Sequence, residues 1–247
     1  MRRIFADLHL KLNLADMELA ERMLRRAAYF GYRLVSVPLA PTLTFSQNKQ
    51  LIEQLTALSK EVGLDFVSRL DVKAKTSNEL LRILRRFRRS FEIIAVFCES
   101  KAVARQAAKD RRVDLLNFSA DPRKRFFDEA EAELASRGLA ALEIDIESII
   151  RLEGAARVKL LAALRKEAAI AKAFNVPVVV SSGASEELTM RRPLEAAALT
   201  MLFDMDRSLA LDAISKVPTA IVKRNREKLS PEFISPGIRL IRRGKDC

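Results

Sequence analysis

Residues 5–10 read Phe-Ala-Asp-Leu-His-Leu and hold the only histidine of the 247-residue chain. Asp7 and His9, two apart at the end of a short apolar stretch, would point from one face of a strand. A carboxylate and an imidazole so placed are half of a donor set for a divalent cation. Further carboxylates stand at or near the ends of other apolar runs: Asp71, Glu99, Glu143 and Asp145. Brought to one end of a sheet, they could complete a magnesium site with His9. Equally, each could cap a helix or pair with a nearby arginine. A single histidine excludes a multi-histidine zinc centre, and any Ser-His-Asp triad would have to use His9.

A second stretch with chemical content is VSSGASEELTMRRP, residues 180–193. Ser181, Ser182 and the nearby backbone N–H groups could hold a phosphate, with Gly183 permitting a tight turn and Arg191 and Arg192 beside it. Pro193 suits the first position of a following helix. The same residues also describe an ordinary strand-to-helix turn with hydroxyl caps. Neither a G-x-G-x-x-G nor a P-loop is present among the seven dispersed glycines, which argues against the nucleotide-binding enzymes that carry them.

These residues must be positioned by alternating elements. Strand-length apolar runs cover Ile4–Leu8, Leu34–Pro38, Asp65–Leu70, Glu92–Cys98, Val113–Phe118, Ala140–Ile146 and Val176–Val180. Most are apolar on both faces, as buried parallel strands are. The segments between them carry helical periodicity. Asp16 is placed to cap a helix whose apolar stripe is Met17, Ala20, Met23, Leu24, Ala27 and Ala28, and Gly31 to stop it. Leu51, Leu55 and Leu58 continue the pattern before Gly63, and 152–174 is a long Ala-rich helix. Seven βα units imply a parallel sheet with helices outside: a TIM-barrel-like α/β fold, one strand short of eight, with a doubly wound open sheet as the alternative. No Gly/Pro/Ser-rich linker divides the chain, so one domain spans residues 1–247, with a basic helical tail from about residue 206.

Charge identifies the class of partner. Lys and Arg number 44 against 32 Asp and Glu, a net charge of +12. An excess of that size points to a polyanion, nucleic acid first among them. Arg82, Arg85, Arg86 and Arg89 would share a helix face. Arg105, Lys109, Arg111 and Arg112 form a second cluster, Arg123, Lys124 and Arg125 a third. The tail adds Lys223, Arg224, Arg226 and Lys228, then Arg239, Arg242, Arg243 and Lys245. No apolar run is long enough for a membrane span and no signal peptide precedes the first strand, so a soluble, cytoplasmic protein is expected, with Cys98 and Cys247 reduced.

DLH near the start, VSSGA after a late strand, and R-x-P leading into an Ala/Leu-rich helix occur in an order that resembles the archaeal ribonuclease P protein component 3 family. The ending Ala213-Ile-Ser-Lys-Val-Pro218, followed by a helix with Asn225, is similar as well. The resemblance implies a TIM-barrel-like fold related to PHP-type metal phosphoesterases. It implies a protein subunit of the ribonucleoprotein that removes 5′ leaders from precursor tRNA. The expected partners are ribonuclease P RNA, precursor tRNA through the holoenzyme, the small α/β protein component 2 and the other ribonuclease P proteins. The catalytic magnesium would sit on the RNA, leaving this chain without a cofactor, a metal or a catalytic residue. PHP enzymes place H-x-H in the first strand. Here the corresponding residues are His9, Leu10 and Lys11, so Asp7 and His9 would be remnants of a dismantled metal site. The match marks Ser181, Ser182, Gly183 and Arg191, with the extra Arg192, as the RNA- or phosphate-binding loop. A free-standing PHP-type phosphoesterase is the alternative, and a nucleic-acid-binding protein unrelated to tRNA a third reading.

Overall fold

Seven apolar runs form seven parallel strands that pair in chain order: β1 (Phe5–Asp7), β2 (Tyr32–Leu39), β3 (Asp65–Lys73), β4 (Ile93–Phe97), β5 (Leu115–Asn117), β6 (Ala141–Asp145) and β7 (Val178–Ser181). The computed structural model describes residues 3–235 and 237–240. Strand β3 runs three residues beyond the expected end. Asp71 interrupts its apolar pattern in sequence, but in space this residue pairs with another charge inside the barrel.

The helices between the strands are α1 (Met17–Phe30), α2 (Phe45–Glu61), α3 (Ser77–Phe87), α4 (Lys101–Lys109), α5 (Glu129–Arg137), α6 (Glu147–Arg151) and α7 (Gly154–Ala173). Their ends follow local chemistry. The Asp16 carboxylate accepts from the Leu19 N–H, and Gly31 closes α1 at φ +97°. Helix α3 buries Leu80, Leu84 and Phe87 and stops there, so Arg89, expected on its exposed face, follows the last turn instead.

Alternation along the strands builds the interior in layers. Leu34, Val67, Ile93, Leu115, Ala141 and Val179 form the lower layer with Ala6 and Leu8. Two residues further up, Arg69, Asn117, Glu143 and Ser181 make a polar layer, all buried. Apolar foot and charged mouth therefore belong to the same strands, offset by one step of two.

The ring is nearly closed without an eighth strand. After α8 (Pro193–Leu199) and α9 (Arg207–Ala213), helix α10 (Lys216–Leu229) packs Ile221 and Val222 into the lower layer from beneath. The free edge of β1 is met by Ile214, whose carbonyl accepts from the Ala6 N–H at 2.9 Å. Higher up, the Lys11 N–H donates to Ala184 O at 2.8 Å and the Ser182 N–H to Asp7 Oδ1 at 3.0 Å. Asn225, fully buried on α10, donates to Glu92 O (2.7 Å) and Asp114 Oδ1 (2.8 Å). Arg226 forks onto Asp65 at 2.6 and 2.8 Å. A short antiparallel pair, β8 (Phe233–Ser235) and β9 (Ile238–Arg239), follows. The basic residues Arg242, Arg243 and Lys245, and Cys247, lie outside the described residues. No helix among the described residues is long and apolar enough to cross a membrane.

Candidate functional site

The mouth of the barrel collects the charged residues of β1, β3, β6 and the loop after β1. Arg69 stands at its centre, 0% exposed although it carries a full charge. Its Nη1 and Nη2 donate to the two oxygens of Glu143 at 2.6 and 2.7 Å, and its Nε donates to Asp71 Oδ1 at 2.6 Å. Nη1 also donates to the Leu8 carbonyl at 2.6 Å. A fork of this kind matches a carboxylate as a lysine could not. Glu143 accepts two more hydrogen bonds, from Asn117 Nδ2 (2.9 Å) and Ser181 Oγ (2.8 Å).

His9 spans the gap between two of these carboxylates. Its Nδ1 lies 2.8 Å from Asp145 Oδ1 and its Nε2 3.3 Å from Asp71 Oδ2. Burial and the Arg69 guanidinium push the imidazole pKa down, but the Asp145 and Asp71 carboxylates outweigh them and hold it at about 9. In spite of burial, His9 keeps the Asp145 carboxyl below its ordinary range, and the Arg69 guanidinium, with His9 second, does the same for Asp71. Lys11 turns toward the mouth, its Nζ 3.7 Å from Asp145 Oδ2 and 3.5 Å from Glu147 Oε2. Asp7 is different. Burial raises its carboxyl pKa; Oδ1 accepts from the His9 and Ser182 N–H groups, and Oδ2 is buried without a partner.

Chemically the set suits a divalent cation, and ligand atoms of His9, Glu143 and Asp145 all lie within 4.8 Å of one another. The arrangement nonetheless does not fit one. Both oxygens of Glu143 are committed to Arg69, and an ion beside Asp145 would face the Arg69 guanidinium and the Lys11 ammonium.

The loop after β7 departs from the expected phosphate cradle. Ser181 and Ser182 are buried, and their hydroxyls turn inward, to Glu143 Oε1 at 2.8 Å and to the His9 carbonyl at 3.4 Å. A phosphate brought to Ser181 would meet a carboxylate, so the two serines serve the barrel. Gly183 does take a left-handed turn, at φ +62°, and a Cβ there would lie 2.8 Å from that of Asp145. Arg191 and Arg192 take other partners than these serines. The loop descends along α1, where Glu187 pairs with Arg22 and Arg26, and the Arg191 carbonyl accepts from the Tyr32 hydroxyl at the start of β2. The Arg191 guanidinium donates to Leu188 O and Met190 O, and Arg192 lies over the Tyr29 and Phe30 rings. Glu99 is exposed and stays out of the cluster. Sequence reasoning does not single out Arg69 or Asn117. The available signal is a polar residue inside an apolar strand, with Arg69 and Asp71 spaced by two, as are Glu143 and Asp145.

Comparison with known proteins adds a consistent set of likenesses. Residues 4–230 match the family model described as RNase P subunit p30. The chain is 30% identical over 175 residues to "Ribonuclease P protein component 3" of Methanosarcina barkeri, covering 71% of this chain and 72% of that one. It is 24% identical to the protein of the same name from Methanococcoides burtonii, over 96% of this chain and 94% of that one. Its fold is similar to that of a chain in a cryo-EM structure of archaeal ribonuclease P with mature tRNA, with a TM-score of 0.83, 20% identity and coverage of 99% and 100%.

Proposed function

The chain belongs to the RNase P subunit p30 family, and on that premise we propose that it works as a protein subunit of ribonuclease P, binding the RNA while the chemistry of 5′-leader removal stays on the RNA and its magnesium. The match over residues 4–230 carries this reading. Its partners are the RNA, precursor tRNA through the holoenzyme, and other ribonuclease P proteins, the small α/β component 2 among them. Cytoplasmic location accords with that role.

The surface supplies the charge that RNA needs. On α3, Arg82, Arg85 and Arg86 are exposed, as is Arg89 after it, and none of the four makes an ion pair among the described residues. Near the foot of the barrel the Lys228 ammonium pKa is held below its ordinary value by burial and by the Arg224, Arg88 and Arg111 guanidiniums, with Asp114 pulling the other way. Three guanidiniums there stand against the one carboxylate of Asp114, and a phosphate backbone would neutralise that excess. Arg191 and Arg192, which likewise make no ion pair among the described residues, extend the basic surface to the side of α1. The mouth is a poor place for phosphate, because three carboxylates converge on it.

The experiment is reconstitution. Purified chain freed of RNA, given magnesium, manganese or zinc with precursor tRNA, is expected to cleave nothing. Added to ribonuclease P RNA and the other protein subunits, it should raise cleavage at low magnesium. Turnover that tracks the chain alone and vanishes in Asp7→Ala would overturn the reading in favour of a free-standing metal phosphoesterase.

A further inference from the structure

The barrel mouth gathers the donors of a divalent site around a side chain that is itself a cation. Asp71 on β3 and Glu143 and Asp145 on β6 would repel one another if nothing positive lay between them. Arg69 is what lies between two of them, with Nε, Nη1 and Nη2 all engaged and no part of the residue reaching water. We propose that Arg69 is the resident cation of this barrel: its guanidinium occupies the place of a divalent ion, so the chain as it stands takes no metal there, and shortening residue 69 opens a site for one divalent ion on Asp71, Glu143, Asp145 and His9.

Charge counting carries the two halves of the proposal together. Arg69 and Lys11 bring two fixed positive charges to three carboxylates, and the imidazole lies between two of the acids. An added dication would overfill the cluster and would have to pull Glu143 out of a bidentate fork. Without the guanidinium, Lys11 and the His9 imidazolium face three carboxylates, and once the ring gives up its proton to serve as a ligand the deficit is two charges in a nearly water-free pocket. Removing the side chain also leaves its volume empty at the point where the donor atoms meet. Mixed carboxylate and imidazole donors suit manganese or zinc better than magnesium, which keeps its water and prefers oxygen alone.

Lone His9 gives the test an unambiguous reporter, since its ring resonances are the only imidazole signals the chain has. RNA-free wild type and Arg69→Ala are each titrated with Mn2+, following the His9 ring signals by NMR and bound metal by equilibrium dialysis. The wild-type His9 signal should survive, with no stoichiometric ion bound at the mouth. The variant should bind one Mn2+ per chain and lose the His9 signal to paramagnetic broadening, and adding Glu143→Gln should restore the signal. Loss of the wild-type His9 signal at the same Mn2+ concentration would overturn the proposal, as would a folded Arg69→Ala that keeps its signal. Should Arg69→Ala be unfolded without metal, refolding on Mn2+ addition counts for the proposal. If it stays unfolded, Arg69→Gln, which keeps most of the volume but not the charge, decides by the same gain or absence of Mn2+-dependent broadening.

Discussion

Asp71, Glu143 and Asp145 meet Arg69, His9 and Lys11 in a space where water scarcely enters, and the energetic weight of that meeting falls on single side chains. Taking one partner from a buried ion pair leaves the other uncompensated and costs about 3–5 kcal/mol. Glu143→Leu should therefore lower unfolding free energy by that order in urea denaturation; a drop under about 1 kcal/mol would mean that Asp71 alone suffices to hold Arg69. His9 makes a separate prediction. Its folded pKa is about 9 against an ordinary 6.5. Folding thus favours the protonated ring, so its contribution to stability is complete below pH 6.5 and is lost as pH rises through 9. An NMR titration of the ring should show a midpoint near 9, and the stability gap between wild type and His9→Gln should narrow as pH rises from 6.5 to 9. A midpoint at or below 6.5 would remove the ion pairs from the account. The acids and the histidine of this cluster are legible in the sequence, because each is conspicuous at a strand end. Arg69 is not. It stands among 44 basic residues, and only the register of β3 against its neighbours tells a buried one from a solvated one.

Among the elements, the turn after β7 and helix α10 hold the barrel shut. At Gly183 a side chain meets two obstacles: φ is +62°, and a Cβ would sit 2.8 Å from Asp145 Cβ and 2.9 Å from its Cγ. Gly183→Ala should cost about 1–3 kcal/mol and lower the melting temperature without changing surface charge. A variant as stable as wild type would mean that the turn relaxes freely. Ile221 on α10, 5% exposed, fills the apolar foot; Ile221→Ala should cost about 2–5 kcal/mol in the same assay. Helix starts and stops are readable from local rules, as Asp16 and Gly31 illustrate. The destination of the tail is not. Its sequence announces a helix with an apolar side, but which open end of the sheet that side covers depends on Ala6, Leu8 and the other lower-layer residues, which are far away in the chain.

For the whole molecule, net charge is plain in the sequence and its distribution is hidden. Arg125 pairs with Glu167 and Arg226 with Asp65 across long stretches of chain, so runs that look alike on paper differ in how much charge they present. Those of α3 keep theirs. Replacing Arg82, Arg85, Arg86 and Arg89 by Gln should weaken RNA binding and flatten its salt dependence. The log–log slope should fall by about 0.7–0.9 for each phosphate that is no longer neutralised. An unchanged slope would move the RNA to another face, and the same measurement on Arg191→Ala/Arg192→Ala would show whether the α1 side is that face. Closure of the barrel has one more outcome, in time rather than in energy. The Ala6 N–H finds its acceptor at residue 214, so on the ribosome β1 is made first and waits for a partner made near the end. At about 5–20 residues per second, that wait lasts roughly ten to forty seconds. Throughout it the nascent chain shows an unpaired edge and an unplugged apolar foot to everything around it. Any fragment that ends before Ile214 and Val222 inherits that exposure permanently, however many of the seven strands it contains.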